Sequence, residues 1–257
     1  MTKLIIFDLD GTLLHTDKTI SPYTQGVLSK CKEQGIHIGC ATARSEITAI
    51  KCMGIIKPDF IISSGGARVN YNGEIVYSSK LSVSTVKGII QELRRYSKGQ
   101  GEITIIAEEG KFCNYKDDSS KDLNFGQVIY LDFLEFEYPA YKVTAEFENE
   151  DDAKNIAGIY EECSSLSYSG EILRQFAHKD ANKLMAIQKL IEYLNIDVND
   201  VVAFGDDYND IEMIKFCGKG IAMNNAITQV KNVADFITDS NDEDGVAKYI
   251  EKSILQY

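Results

Sequence analysis

The stretch Lys3-Leu4-Ile5-Ile6-Phe7-Asp8-Leu9-Asp10-Gly11-Thr12 constrains this chain more than any other. Four consecutive apolar residues predict a buried strand and are far too few to cross a membrane. The strand runs straight into two aspartates. Carboxylates two apart at the end of a buried strand oppose folding unless something compensates them. A divalent cation is the obvious compensator, because hard cations take carboxylate and carbonyl oxygens. Gly11 allows a sharp turn, and the amides that follow can face an anion. Asp-Gly is also a common turn dipeptide, so the pattern acquires its meaning from the rest of the chain.

Downstream, strands and helices alternate. Ser21-Pro22 predicts a helix start, with the helix running to about Glu33 and Gly35 just past its end. Residues 36–41 read as a second strand ending at Thr42-Ala43-Arg44-Ser45, where Ser45 can cap a helix through Met53. Residues 60–62 read as a third strand ending in Ser63-Ser64-Gly65-Gly66. This rhythm predicts a Rossmann-like parallel α/β sheet, whose ligands bind at the carboxyl ends of the strands. Asp8, Asp10 and Thr42 then share one edge.

The rhythm changes in the middle. Asn72-Gly73 marks a hairpin between residues 69–71 and 74–77. A helix over 84–97, a hairpin over 103–115, a polar loop over 116–124, a strand over 141–147, a helix over 150–163 and paired strands at 166–168 and 172–177 predict an inserted α+β unit. The α/β pattern resumes with a helix from Lys183 to about Leu194, then the strand Val201-Val202-Ala203-Phe204, which ends in Gly205-Asp206-Asp207-Tyr208-Asn209-Asp210. A helix, a strand at 220–223, a further helix, a strand at 236–238 and a last helix from about Asp244 complete the reading.

Composition narrows the partners. The net charge of −12 argues against nucleic acid or an anionic membrane. Residues 80–180 hold 12 Lys+Arg against 19 Asp+Glu, so the inserted unit is unsuited to a polyanion. Six scattered cysteines without a Cys-x-x-Cys, and an early apolar run broken by Asp8, predict free thiols, no signal peptide and a cytoplasmic location. The oligomeric state is open.

The second acidic cluster meets the first at the same sheet edge. Asp8, Asp10, Asp206 and Asp210, with Asn209, make an oxygen-rich cation site that suits Mg2+. Thr42 adds a hydroxyl and Lys183 a point positive charge, a set that phosphoryl transfer requires. Taken singly, the acids suit a helix N-terminus, Thr42 a cap or turn, and Lys183 a solvated helix position. Jointly they point to one site.

These motifs resemble the haloacid dehalogenase superfamily of phosphohydrolases, and within it the Cof-type subfamily with a C2B cap. Asp8-Leu9-Asp10-Gly11-Thr12 is similar to its first motif, Ala41-Thr42-Ala43-Arg44 to the second, Lys183 to the third and Gly205-Asp206-Asp207-Tyr208-Asn209-Asp210 to the fourth. Ala222-Met223-Asn224-Asn225-Ala226 and Ser240-Asn241-Asp242-Glu243-Asp244-Gly245-Val246 resemble two further family segments. The resemblance implies a core of 1–79 and 181–257 and a cap of 80–180 that closes over the site. It implies Asp8 as nucleophile and Asp10 as general acid and base. Mg2+ would be held by Asp8, the Asp10 carbonyl and Asp206. Thr42, Lys183 and Asn209 would bind the phosphoryl oxygens, with amides near Leu9 and Ala43. Gly11, Thr12, Arg44 and Asp210 would support them, Asp210 by orienting Lys183 or the metal's waters. Two positions depart from the family pattern: Ala43 stands where glycine is common, and Gly65 where asparagine is frequent.

The resulting expectation is a Mg2+-dependent phosphatase that acts on a small phosphorylated metabolite, a sugar phosphate or a phosphorylated cofactor, through an aspartyl-phosphate. A phosphomutase-type phosphotransferase acting on a hexose phosphate and a weakly active metabolite-binding protein are the alternatives.

Overall fold

The opening strand is β1 (Leu4–Phe7), and all four of its side chains are fully buried. Removing each from water contributes about 1.5–3 kcal/mol. The computed structural model describes residues 2–115, 128–167 and 172–255. After β1 come α1 (Pro22–Glu33), β2 (His37–Ala41), α2 (Glu46–Met53), β3 (Phe60–Ser63), β4 (Arg68–Tyr71) and β5 (Glu74–Ser78). The Ser21 hydroxyl accepts from the Thr24 amide and caps α1. Ser45 occupies the N-cap position of α2, but its hydroxyl pairs with that of Thr48 instead. Asn72 and Gly73 both take positive φ, as the predicted hairpin between β4 and β5 requires.

The middle of the chain supplies α3 (Val83–Tyr96), β6 (Ile103–Ala107), β7 (Gly110–Cys113), β8 (Val128–Tyr130), β9 (Ala140–Glu146), α4 (Glu150–Ala157), β10 (Cys163–Ser167) and β11 (Leu173–His178). The chain then continues through α5 (Lys183–Leu194), β12 (Val201–Gly205), α6 (Ile211–Phe216), β13 (Lys219–Ala222), α7 (Thr228–Lys231), β14 (Phe236–Ile237) and α8 (Gly245–Ser253).

Two compact units result: residues 1–77 with 182–257, and residues 78–181. The first holds an eight-stranded sheet in the order β14-β13-β12-β1-β2-β3-β4-β5. It is parallel from β14 to β3, and β4 runs antiparallel to β3. The second unit holds a six-stranded sheet in the order β10-β11-β9-β6-β7-β8. Val86, Ile89, Ile90 and Leu93 recur at helical spacing on α3 and join Ile103, Ile105, Val143 and Phe176 in one apolar core.

Three sequence expectations need comment. The helix expected over 150–163 ends at Ala157, with Gly158 at its C-cap. Its apolar stripe of Ala153, Ile156 and Ala157 is then complete, and residues 163–167 instead satisfy their backbone groups as β10 against β11. Strand β8, parallel to β7, had no sequence signal. The polar loop expected over 116–124 lies outside the described residues, as does residue 168 of the strand expected at 166–168.

The loop after β3 is unusual. Ser64, Gly65 and Gly66 take φ values of 52°, 73° and 106° in succession. A side chain on Gly66 would fall on the backbone of Asn182, the N-cap of α5. Gly35 shares a positive φ of 76°, but the space beside it is open. Urea unfolding should therefore separate strain from contact. Gly35→Ala should cost about 1 kcal/mol, and Gly66→Ala about 2–3 kcal/mol. Equal losses would mean that the close approach of Gly66 to Asn182 adds nothing.

Candidate active site

Register sets the site. Phe7 lies opposite Cys40 on β2 and opposite Phe204 on β12. The loops that leave these three strands therefore begin side by side: Asp8 from β1, Thr42 just beyond β2, Asp206 just beyond β12. From β1 the sheet is built outward in both directions, through β2 on one side and β12 on the other. That is the crevice where open α/β sheets bind ligands.

The best-buried interaction there joins three residues from distant parts of the chain. Lys183 Nζ lies 2.6 Å from Asp8 Oδ1 and 2.6 Å from Asp210 Oδ1. Lys183 is the first residue of α5, where the helix dipole disfavours a cation. The two carboxylates and the Asn182 side chain, which accepts from the Met185 amide, offset that cost. The other Asp210 oxygen accepts from the amides of Asp206 (2.9 Å) and Asp207 (3.1 Å). The Thr12 hydroxyl donates to Asp206 Oδ1 at 2.6 Å. Gly11 has φ 82°, and a side chain on it would collide with the Asp206 carboxylate. Only glycine lets these two loops approach so closely.

Asp8, Asp206 and Asp210 each offer a carboxylate oxygen within 4.8 Å of the others. Both Asp210 oxygens already accept hydrogen bonds, so Asp8 and Asp206 carry the uncommitted donor capacity. Three clustered carboxylates against one lysine leave an excess of negative charge. A hard divalent cation fits this set of donors. The side chain of Asp10, expected to join the cluster, lies outside it. Arg44 grips it with Nε on Oδ2 and Nη2 on Oδ1, both at 2.6 Å, and Lys18 Nζ donates to Oδ1 at 2.8 Å. Asn209 Oδ1 is buried without a hydrogen-bond partner among the described residues. An acceptor left unpaired in this way is costly, and a ligand donor would relieve it.

The remaining expected residues line the same edge. Leu9 and Thr42 are buried. Thr42 Oγ1 accepts from the Arg44 amide at 3.1 Å. The loop of positive-φ residues props this segment: Gly65 donates to the Thr42 carbonyl and Ser64 to that of Arg44. Gly65, a departure from the family pattern, thus occupies a left-handed position where glycine carries no strain. Ala43 is half-buried beside them. Two contributors had not been anticipated. Lys18 reaches Asp10 from a left-handed turn (φ 67°), a geometry without a local sequence signal. Asn225 Nδ2 donates to the Gly11 carbonyl at 2.7 Å.

Charge burial is visible in the titration behaviour. Burial, reinforced by Asp210 and Asp206 and opposed by Lys183, pushes the Asp8 carboxyl up to about 8. Burial likewise pushes Asp206 up to about 7, against the Thr12 hydrogen bond. Lys183 is raised, because Asp210 and Asp8 outweigh its burial. Burial would raise Asp10 too, but the bonds from Arg44 and Lys18 prevail and hold it below its usual range.

A pH prediction follows from the two raised carboxyls. Above about pH 5, where lowered carboxyls such as Asp10 are ionised in the folded and the unfolded chain alike, Asp8 and Asp206 keep the metal-free folded state more protonated than the unfolded chain, up to about pH 8. Metal-free stability should therefore fall as pH rises through that window. A divalent cation should reverse the loss, raising Tm more at pH 8 than at pH 6. Calorimetric scans at both pH values check this, and a cation effect independent of pH would contradict it.

Comparison with known proteins agrees with the geometry. Over 258 residues the chain is 29% identical to the Bacillus subtilis 5-amino-6-(5-phospho-D-ribitylamino)uracil phosphatase YcsE, covering 98% of this chain and 96% of that protein. It is 27% identical to the Bacillus subtilis phosphatase YwpJ, covering 95% and 97%. A crystal structure of a haloacid dehalogenase-like hydrolase from Bacteroides thetaiotaomicron superposes with a TM-score of 0.85 at 27% identity, covering 98% and 99%. The model of the haloacid dehalogenase-like hydrolase family matches residues 5–250. With the match running from β1 into α8, the chain belongs to the haloacid dehalogenase-like hydrolases.

Proposed function

We propose that this enzyme hydrolyses a small phosphorylated metabolite in the presence of Mg2+, passing the phosphoryl group first to Asp8 and then to water. Its class, a phosphoric monoester hydrolase, is that of its family relatives. The observation that carries the mechanism is the buried Asp8 carboxylate, held by Lys183 within an acidic cluster at the end of β1.

The Asp8 carboxylate and Asp206, with the Asp10 carbonyl, would hold the cation. When bound, Mg2+ would supply charge neutralisation for the carboxylates and the phosphoryl oxygens. An Asp8 oxygen attacks phosphorus, and the bond to the leaving oxygen breaks. Asp10 gives its proton to that oxygen. In the second step Asp10 takes a proton from water, whose oxygen attacks phosphorus while the bond to Asp8 breaks. The grip of Arg44 and Lys18 favours the ionised form that this second step uses, so donation in the first step requires the grip to loosen. Lys183, Thr42 and Asn209 would hold the phosphoryl oxygens, with amides near Leu9 and Ala43. Gly11, Thr12 and Asp210 shape the loops that carry these groups.

Two observations bear on the substrate class. The YcsE relative is named for a phosphorylated ribityl compound, and the acidic balance of residues 80–180 disfavours a polyanion. A sugar phosphate or a phosphorylated cofactor fits both. Six free cysteines suit a reducing cytoplasm.

The test is phosphate release from a panel of phosphorylated metabolites, with and without Mg2+. Wild type should release phosphate only with the metal. Asp8→Asn should lose at least about 1,000-fold in kcat, because the amide is a far poorer nucleophile. Undiminished activity in that variant would remove Asp8 from the mechanism. An isomeric product from a hexose phosphate would instead mark a phosphomutase.

A further inference from the structure

The turn after β13 touches both loops that would hold the cation. Asn225 Nδ2 donates to the Gly11 carbonyl at 2.7 Å, and two residues on the Ile227 amide donates to the Asp206 carbonyl at 3.0 Å. The Met223 amide donates to the Gly205 carbonyl at 3.1 Å. Gly11 and Asp206 are the pair whose close approach excludes any side chain at position 11. One short turn therefore spans the gap that sets the Thr12–Asp206 contact.

The orientation of the Asn225 amide is fixed by its partners. The Gly11 carbonyl can only accept, and the Asn241 amide, 3.0 Å from Asn225 Oδ1, can only donate. Asn241 in turn donates its side-chain Nδ2 to the Leu14 carbonyl at 2.9 Å. Beyond it, Asp244 Oδ1 accepts from His15, Ser21 and Thr24. The loop that carries Asp10 and Thr12 is thus pinned along its length by Asn225, Asn241 and Asp244.

We infer that Asn225 is a positioning residue for the cation: it holds the Gly11 peptide against the Asp206 loop, so that the oxygens of Asp8, Asp10 and Asp206 stand ready for Mg2+. This rests on the cation site proposed above. It also gives a role to Asn225 and to the Asn241–Asp244 segment, which the mechanism does not otherwise use. Because Asn225 is exposed, its replacement spares the core.

Isothermal titration of the metal-free protein with Mg2+ alone tests this without turnover. Asn225→Ala should weaken Mg2+ binding about 3- to 10-fold, the range expected for one lost hydrogen bond. Its Tm without metal should stay within about 2 °C of wild type, as for surface substitutions. Asn224→Ala, beside it and also exposed, should bind Mg2+ as wild type does. Asp206→Asn separates this inference from the reading beneath it. If Asp206→Asn loses binding while Asn225→Ala stays within twofold of wild type, the positioning role is overturned, whatever the melting temperature. If Asp206→Asn binds as wild type does, the cation site itself is wrong and the inference falls with it.

Discussion

Everything at the carboxyl edge of the large sheet depends on a lysine buried between two aspartates. Lys183 is 175 positions from Asp8 in sequence, yet lies 2.6 Å from it. Taking an ammonium and two carboxylates out of water is expensive, and their mutual attraction repays the cost only when the geometry is tight. Tightness comes from the sheet. β1 is registered against its neighbours on both sides and cannot slip without drawing the charged Lys3 or Asp8 into the buried strand, so Asp8 is delivered to a fixed point. The start of α5 lies against the loop after β3, where Gly66 leaves room for the Asn182 backbone. Stability and chemistry draw on the same packing.

The site is still unbalanced by its own residues. One lysine cannot neutralise three carboxylates, and the Asp8 and Asp206 carboxyls are raised chiefly by burial, with the neighbouring carboxylates adding to it. Asp10 shows the opposite case. Its two cations, Arg44 and Lys18, keep it ionised, although it stands only two residues from Asp8. A nucleophilic Asp8 must be ionised and a proton-donating Asp10 protonated, the reverse of this metal-free balance, so the proposed roles require a cation beside Asp8 and release of Asp10 by Arg44 and Lys18.

Much of this was legible in the chain before any coordinates. Residues 4–7 announce a buried strand by composition alone, and two acidic clusters at the ends of strands in a parallel α/β pattern converge by topology. Glycine and asparagine in the β4–β5 turn specify its geometry. What stayed hidden depends on long-range detail. Within residues 150–163 only Gly158 hints that the helix stops at Ala157, and the competing partner of β10 is a strand ten residues further on. Side-chain direction was hidden too: Asp10 was expected in the acidic cluster, and Arg44 and Lys18 turn it away. The segment around Asn225 resembles a recurrent family segment, but its partner more than 200 positions away could not be read from it.

Asp210 illustrates how little chemical freedom such a site leaves. One of its oxygens faces the Lys183 ammonium and the other faces two backbone amides. Every neighbour is a donor, so the side chain must accept on both ends. Asparagine has the right length and shape, yet either orientation of its amide sets an N–H against an N–H. Glutamate accepts on both ends but is one methylene too long for a side chain with no exposed surface. The position therefore admits a single amino acid for reasons of valence and volume alone, before any requirement of catalysis is considered.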